Sequence, residues 1–151
     1  MHMAKYEITH TCGHTRTVEL FGKYEDRERK IEWLESQECP ECAKAREARQ
    51  SEEIESELGL NHLAGSDKQV AWAKSIRAPY LKQFKVMMTS IETSKPEMIE
   101  AIYNWLCNKT DSKFWIDNRN YFTVYANPEV KQYMRDISMI YQDIYRPAIN
   151  K

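Results

Sequence analysis

Hydrophobic and polar residues alternate near the start of the chain. Tyr6, Ile8 and His10 alternate with polar neighbours over residues 6–11, and the same alternation recurs over residues 15–21. A period of two is typical of half-buried β-strands. The pattern predicts two short antiparallel strands joined by a tight connection.

Beyond residue 23 the apolar positions change to helical spacing, three and four residues apart. This spacing predicts helices over residues 24–37, 40–58, 66–91, 94–108 and 127–147. Pro79 interrupts the third of these, and it must either kink one long helix or divide two.

Capping sequences mark several of the helix starts. Ser66 with Gln69, and Ser94 with Glu97, have the spacing of a capping box. Asn127 followed by proline is typical of an N-cap and first turn. We therefore predict helix starts at Ser66, Ser94 and Asn127.

Four residues with metal-binding chemistry occur as two short pairs. Cys12 and His14 flank Gly13, which allows a tight turn, and Cys39 and Cys42 follow about two dozen residues later. Structural zinc is usually held in a tetrahedron of cysteine thiolates and imidazoles. The spacing predicts one zinc ion. Four protein ligands leave no open position, so the predicted role is structural.

Other uses of these residues are open at this stage. His10 is a competing imidazole, although its strand position favours His14 as the ligand. A C-x-x-C pair also serves redox chemistry, but in a thioredoxin-like βαβ context that this pattern lacks. Metal-dependent nucleases can open with two strands and a helix, but they need a catalytic histidine, and His14 is assigned to zinc. With no phosphate loop or catalytic triad signature in the chain, we predict a non-enzymatic protein.

These patterns predict a mainly α fold in two domains. Residues 4–58 are expected to form a zinc-stapled β-hairpin with helices, and residues 66–147 a compact helical domain. Four glycines and five prolines in 151 residues are too few for the turns of an all-β fold. No apolar run reaches the roughly 18 residues that span a bilayer, so a cytoplasmic protein without membrane contact is expected.

Charge is divided unevenly along the chain. Residues 1–65 carry nine Lys/Arg and fourteen Asp/Glu, whereas residues 66–151 carry thirteen and nine. The net charge of −1 is therefore the sum of an acidic first part, residues 1–65, and a basic second part, residues 66–151. Four cations on the third helix predict a surface for a phosphate backbone or an acidic protein: Lys74, Arg77, Lys82 and Lys85. A solvated basic face is the alternative.

Aromatic residues gather in an irregular stretch over residues 111–126. Lys113 and Arg119 lie among Phe114, Trp115, Tyr121, Phe122 and Tyr125. Aromatic rings interleaved with cations can stack on nucleic-acid bases. A packed core is the more common use of such a cluster.

The first half of the chain carries a specific set of motifs. They are Cys12-Gly13-His14, Leu20-Phe21-Gly22-Lys23, Glu32-Trp33-Leu34-Glu35, Cys39-Pro40-Glu41-Cys42 and Gly65-Ser66-Asp67-Lys68-Gln69-Val70-Ala71-Trp72-Ala73. As a set they resemble small zinc-binding proteins carried by phages and mobile elements of gut Firmicutes. The resemblance implies a mobile-element context, with nucleic acid or host-defence machinery as partners. It implies no active site.

Two functional hypotheses follow. The basic second half favours a zinc-binding interaction protein that binds nucleic acid or a nucleoprotein complex. The acidic first half favours an inhibitor of a host defence nuclease, similar in role to anti-CRISPR proteins, because an acidic surface can occupy a nucleic-acid channel.

Overall fold

Two β-strands precede a series of helices within residues 3–91, 95–127 and 129–150, which the computed structural model describes. This order confirms the predicted mainly α fold with an N-terminal hairpin. Packing divides the chain into two units, Met1–Glu47 and Ala48–Lys151. The division falls within the second α-helix.

The first unit begins with an antiparallel hairpin. Strand β1 (Met3–Thr9) pairs with β2 (Thr15–Phe21), with Tyr6 opposite Val18. The first strand starts and ends earlier than the predicted range of 6–11. It ends at Thr9 because the next residue already belongs to the loop that turns the chain. Helix α1 (Tyr24–Glu35) and the start of α2 (Pro40–Leu58) follow.

The first unit has a very small core. Among its described residues only Ile8, His10, Leu34 and Cys39 are buried. Fully burying an aliphatic side chain contributes about 1.5–3 kcal/mol, so two such residues supply little against the entropy of ordering the unit. A unit of this kind needs another source of stability.

The second unit is built from helices joined by loops, with one isolated β-bridge between Ala64 and Asp111 among its described residues. Beyond α2 it contains α3 (Asp67–Met88), α4 (Pro96–Cys107), α5 (Ser112–Asp117), a 3₁₀ turn (Arg119–Tyr121), α6 (Val130–Ile140), a π-helical turn (Tyr141–Tyr145) and α7 (Arg146–Ile149). None of the described helices has both the length and the apolar character needed to cross a membrane.

Helix α3 runs unbroken through Pro79. The predicted capping box at its start is confirmed, since Ser66 and Gln69 each accept a hydrogen bond from the other's backbone N–H. Pro79 has no N–H to donate to the helix, but the residues on either side of it, Ala78 and Tyr80, are fully buried. Tertiary packing therefore keeps the helix continuous where propensity alone would break it.

Two other predicted helix starts differ from the structure or fall outside it. Ser94 lies outside the described residues, and Lys95 occupies the N-cap position of α4. The prediction of an N-cap at Asn127 is wrong, because α6 has Glu129 at that position. The segment before it is bonded to α3, because the Gln83 side chain accepts a hydrogen bond from the Tyr125 N–H at 2.8 Å and donates one to the Thr123 carbonyl at 3.1 Å. Pro128 lies outside the described residues.

The last helical stretch continues past its predicted end near Pro147, to Ile149. Pro147 cannot donate to the carbonyl four residues before it, and its ring crowds that carbonyl. The π-helical turn at Tyr141–Tyr145 widens the backbone at this point. The widened turn explains how the helix accommodates the proline.

The core of the second unit is rich in aromatic rings. Trp115 and Phe122 have ring centroids 4.7 Å apart, and Tyr80 lies 5.1 Å from Phe122. The buried set is Leu63, Ala73, Tyr80, Leu81, Phe84, Met87, Ile99, Ile102, Leu106, Trp115, Ile116, Phe122, Tyr133, Ile137 and Ile140. The second unit therefore has the core that the first lacks.

Candidate metal centre

The loop between β1 and β2 places the first two candidate ligands. The His10 N–H donates to the His14 carbonyl at 2.9 Å, and the Gly13 N–H donates to the His10 carbonyl at 2.9 Å. Gly13 has φ +86°, a value that favours glycine. This tight loop brings the side chains of Cys12 and His14 to one side of the hairpin end.

The start of α2 places the other two. Cys39 directly precedes the helix, and the Cys42 N–H donates to the Cys39 Sγ at 3.4 Å. Pro40 occupies the first helical position, where its missing N–H costs no helical bond.

The four side chains converge. One ligand atom from each of Cys12, His14, Cys39 and Cys42 lies within 4.8 Å of all the others. The Nδ1 of His14 is 3.1 Å from the Cys42 Sγ and 3.6 Å from the Cys39 Sγ. Ligand atoms about 2.3 Å from one tetrahedral ion lie about 3.7 Å apart, so small side-chain rotations suffice for binding. The arrangement is a candidate metal site with four protein ligands.

Hydrogen bonds shift the pKa values of two thiols in opposite directions. The Cys39 N–H donates to the Cys12 Sγ at 3.4 Å and, together with the His14 backbone, lowers the pKa of Cys12 to about 6. The side-chain hydrogen bond with Cys39, followed by desolvation, raises the pKa of Cys42 to about 12. A bound cation stabilises every thiolate around it. A metal ion bound here at neutral pH would therefore displace the proton of Cys42.

His10 has a different role from His14. Its Nε2 lies 2.9 Å from the Nε of Arg16, which can only donate, so Nε2 accepts and the ring proton sits on Nδ1. That Nδ1–H points to the carbonyls of Leu34, at 2.9 Å, and Gln37, at 3.1 Å. Both ring nitrogens are occupied within the protein. His10 therefore links α1 to the hairpin by hydrogen bonds. His14 remains as the imidazole of the candidate metal site.

Separate substitutions of the two histidines should distinguish these roles. His14→Ala is expected to abolish stoichiometric metal binding. His10→Ala should retain the metal but destabilise the first unit by about 1–3 kcal/mol, because it leaves buried polar groups without partners. Metal analysis and thermal denaturation of both variants provide the comparison. Equal metal loss in the two variants would contradict the assignment of His10.

The predicted basic surface on α3 is only partly present. Lys82 and Lys85 are exposed, but Arg77 has 0% exposure and its Nη2 donates to the Glu55 Oε1 at 2.7 Å. Lys74 is partly buried and forms an ion pair with Glu52. The prediction that Arg77 contacts a partner is therefore wrong, because the side chain neutralises a buried carboxylate.

Sequence reasoning missed the buried pair of Glu55 and Arg77. The signal was available, since Arg77 follows Ala73 by four residues on the apolar side of α3, next to Tyr80 and Leu81. A cation in a core stripe is buried only when it is paired. Its partner, 22 residues earlier, could not be identified from helical spacing.

The aromatic stretch at 111–126 is mostly core. Trp115 is fully buried, Phe122 is 5% exposed, and Phe114 and Tyr121 pack against the same cluster. Arg119 lies outside, with its guanidinium 5.3 Å from the ring centroid of Trp72. Trp115 and Phe122 are therefore inaccessible to a base, whereas Phe114, Tyr121 and Tyr125 are only partly buried.

Comparison with known proteins adds no relative from which a role for this site could be carried over. No family model, no curated protein and no solved structure gave a significant match to the chain.

Proposed function

We propose that Cys12, His14, Cys39 and Cys42 hold one zinc ion with a structural role, and that the protein acts by binding rather than by catalysis. The convergence of three thiols and one imidazole within 4.8 Å carries this proposal. Zinc is favoured by this mixture of soft and borderline ligands, which suits a tetrahedral site. With four protein ligands no coordination position is left for a substrate.

Cobalt substitution tests both the ligand set and the closed geometry. Co²⁺ held by thiolates in a tetrahedron absorbs intensely in the visible region, whereas five- or six-coordinate Co²⁺ absorbs weakly. We expect an intense spectrum that saturates at one equivalent and is abolished by Zn²⁺. A weak spectrum would indicate an open coordination position and would count against a purely structural role.

We further propose that the partner is nucleic acid or a nucleoprotein complex, bound along the exposed side of α3. Lys82 and Lys85 lie three residues apart on this helix, and neither forms an ion pair with any described residue. Trp72 is 48% exposed and has Arg119 stacked beside it. Exposed lysines can contact phosphates, and an exposed indole with a neighbouring guanidinium can contact a base.

A gel-shift titration at several salt concentrations tests this partner. Each lysine that contacts a phosphate contributes about one unit to the slope of log affinity against log salt. Lys82→Gln/Lys85→Gln should lower that slope by about two. The matched control, Arg29→Gln/Lys30→Gln on α1, should leave it unchanged. Absence of binding by the unmodified protein at low salt would refute the proposal.

The acidic first part of the chain, residues 1–65, favours one alternative partner. Glu25, Asp26, Glu32 and Glu35 are exposed on α1. Such a surface complements the basic channel of a nucleic-acid-processing effector, as expected of an inhibitor of a host defence nuclease. A pull-down with purified host nuclease complexes tests this alternative, and failure to retain any effector would count against it.

A further inference from the structure

The outer edge of β1 presents backbone groups that β2 does not use. His10 and His14 form a hydrogen-bonded pair at the end of the hairpin, because the His10 N–H donates to the His14 carbonyl. Bonded and non-bonded pairs alternate along an antiparallel ladder, and the register runs unbroken back to Met3. The N–H and C=O groups of Lys5 and Glu7 therefore point away from β2.

This edge is open in the part of the chain that the structure describes. The sheet has two strands, and no hydrogen bond from a described residue outside the sheet reaches the backbone of Lys5 or Glu7. Both side chains are also exposed. An open edge of seven residues is a template for a further strand.

We propose that β1 pairs antiparallel with β1 of a second copy, around a twofold axis at Tyr6, to form a four-stranded sheet. In this register Lys5 lies opposite Glu7 of the partner subunit, and Glu7 lies opposite Lys5 of the partner subunit. The outward backbone groups of both residues are paired at the same time. Two opposite-charge pairs therefore flank the axis on one face of the sheet.

Charge selects this register over its neighbours. An axis moved to Lys5 would place two lysines opposite each other, and an axis moved to Glu7 would oppose two glutamates. Like charges directly opposite are destabilising. The edge of β2 offers no such match, because Glu19 is the only charged residue whose backbone faces outward there. The self-complementary edge is that of β1.

Charge reversal at the two positions tests the dimer. Sedimentation velocity of the unmodified protein should show a particle of about twice the 18.0 kDa chain mass. Lys5→Glu alone, and Glu7→Lys alone, should each weaken dimerisation at least tenfold, because each creates two like-charge pairs across the axis. An equimolar mixture of the two variants should regain the dimer, since every pair across a mixed interface is then attractive.

Controls separate this effect from loss of folding or of the metal site. Lys5→Glu also removes the exposed contact between Lys5 and Glu19 at 4.0 Å, whereas Glu7→Lys leaves that contact in place. Arg29→Glu on α1 makes the same change in net charge as Lys5→Glu and should remain dimeric. Metal content reports whether the first unit of each variant is folded. If a single variant loses its metal, the double variant Lys5→Glu/Glu7→Lys is tested in place of the mixture. This double variant should dimerise, because its two charges are exchanged and every pair across the axis stays attractive.

The proposal is independent of the metal's identity and of the nucleic-acid partner. A monomeric unmodified protein at all accessible concentrations would overturn it. So would a dimer that persists in both single variants, or a mixture of folded variants that stays monomeric.

Discussion

Cys39→Ser is expected to remove the metal and unfold the first unit while α3 to α6 stay folded. Structural zinc contributes about 10–16 kcal/mol in small metal-binding modules at neutral pH. The two buried aliphatic side chains among the described residues of this unit, Ile8 and Leu34, contribute about 1.5–3 kcal/mol each. Loss of the ion therefore outweighs the rest of the core. Cys39 is also the buried member of the ligand set, so water has little access to the coordination position that the serine leaves empty.

Metal analysis with hydrogen exchange measures both parts of this result. Metal content should fall from about one ion per chain to near zero, and the amides of β1 and β2 should lose protection. Cys107→Ser is the matched control, because this half-buried thiol lies in α4, outside the ligand cluster. It should retain the metal and the hairpin. Full metal retention in Cys39→Ser would rule out the assigned ligand set.

Arg77→Met is expected to destabilise the second unit by about 3–5 kcal/mol. The substitution preserves most of the side-chain volume but leaves the carboxylate of Glu55, which is 6% exposed, buried without its cation. It also removes the 2.9 Å hydrogen bond from Arg77 to the Asn61 carbonyl. Urea denaturation gives the change in the free energy of unfolding, and hydrogen exchange of the α3 amides shows that the change lies in the second unit.

Two further variants show whether burial of the pair is the cause. Lys74→Met breaks the neighbouring ion pair with Glu52, whose carboxylate side chain is 58% exposed, so it should cost about 0–1 kcal/mol. The double variant Arg77→Met/Glu55→Leu removes both charges and should recover most of the stability lost in Arg77→Met. Equal losses for Arg77→Met and Lys74→Met would contradict the structural role given to Arg77.

Local sequence patterns predicted the features that depend on neighbouring residues. The hairpin follows from period-two alternation, the start of α3 follows from Ser66 and Gln69, and the start of α2 follows from Pro40. The two short ligand pairs could be recognised because each is brought together by a turn or by a helix start. The structure confirms that these four residues lie together.

Features set by tertiary packing could not be predicted in the same way. The continuity of α3 across Pro79 depends on burial of the residues beside it, and the partner of Arg77 comes from a different helix. The segment before α6 is bonded through Tyr125 to Gln83, 42 residues earlier. Each of these depends on contacts between distant residues that periodicity does not encode.

The proposed structural zinc is tested most directly on the unmodified protein. Elemental analysis should find about one zinc ion per chain. Its removal with a chelator should abolish hydrogen-exchange protection in β1 and β2 and leave α3 protected. Absence of zinc from the purified protein, or a hairpin that stays protected after complete zinc removal, would contradict the account.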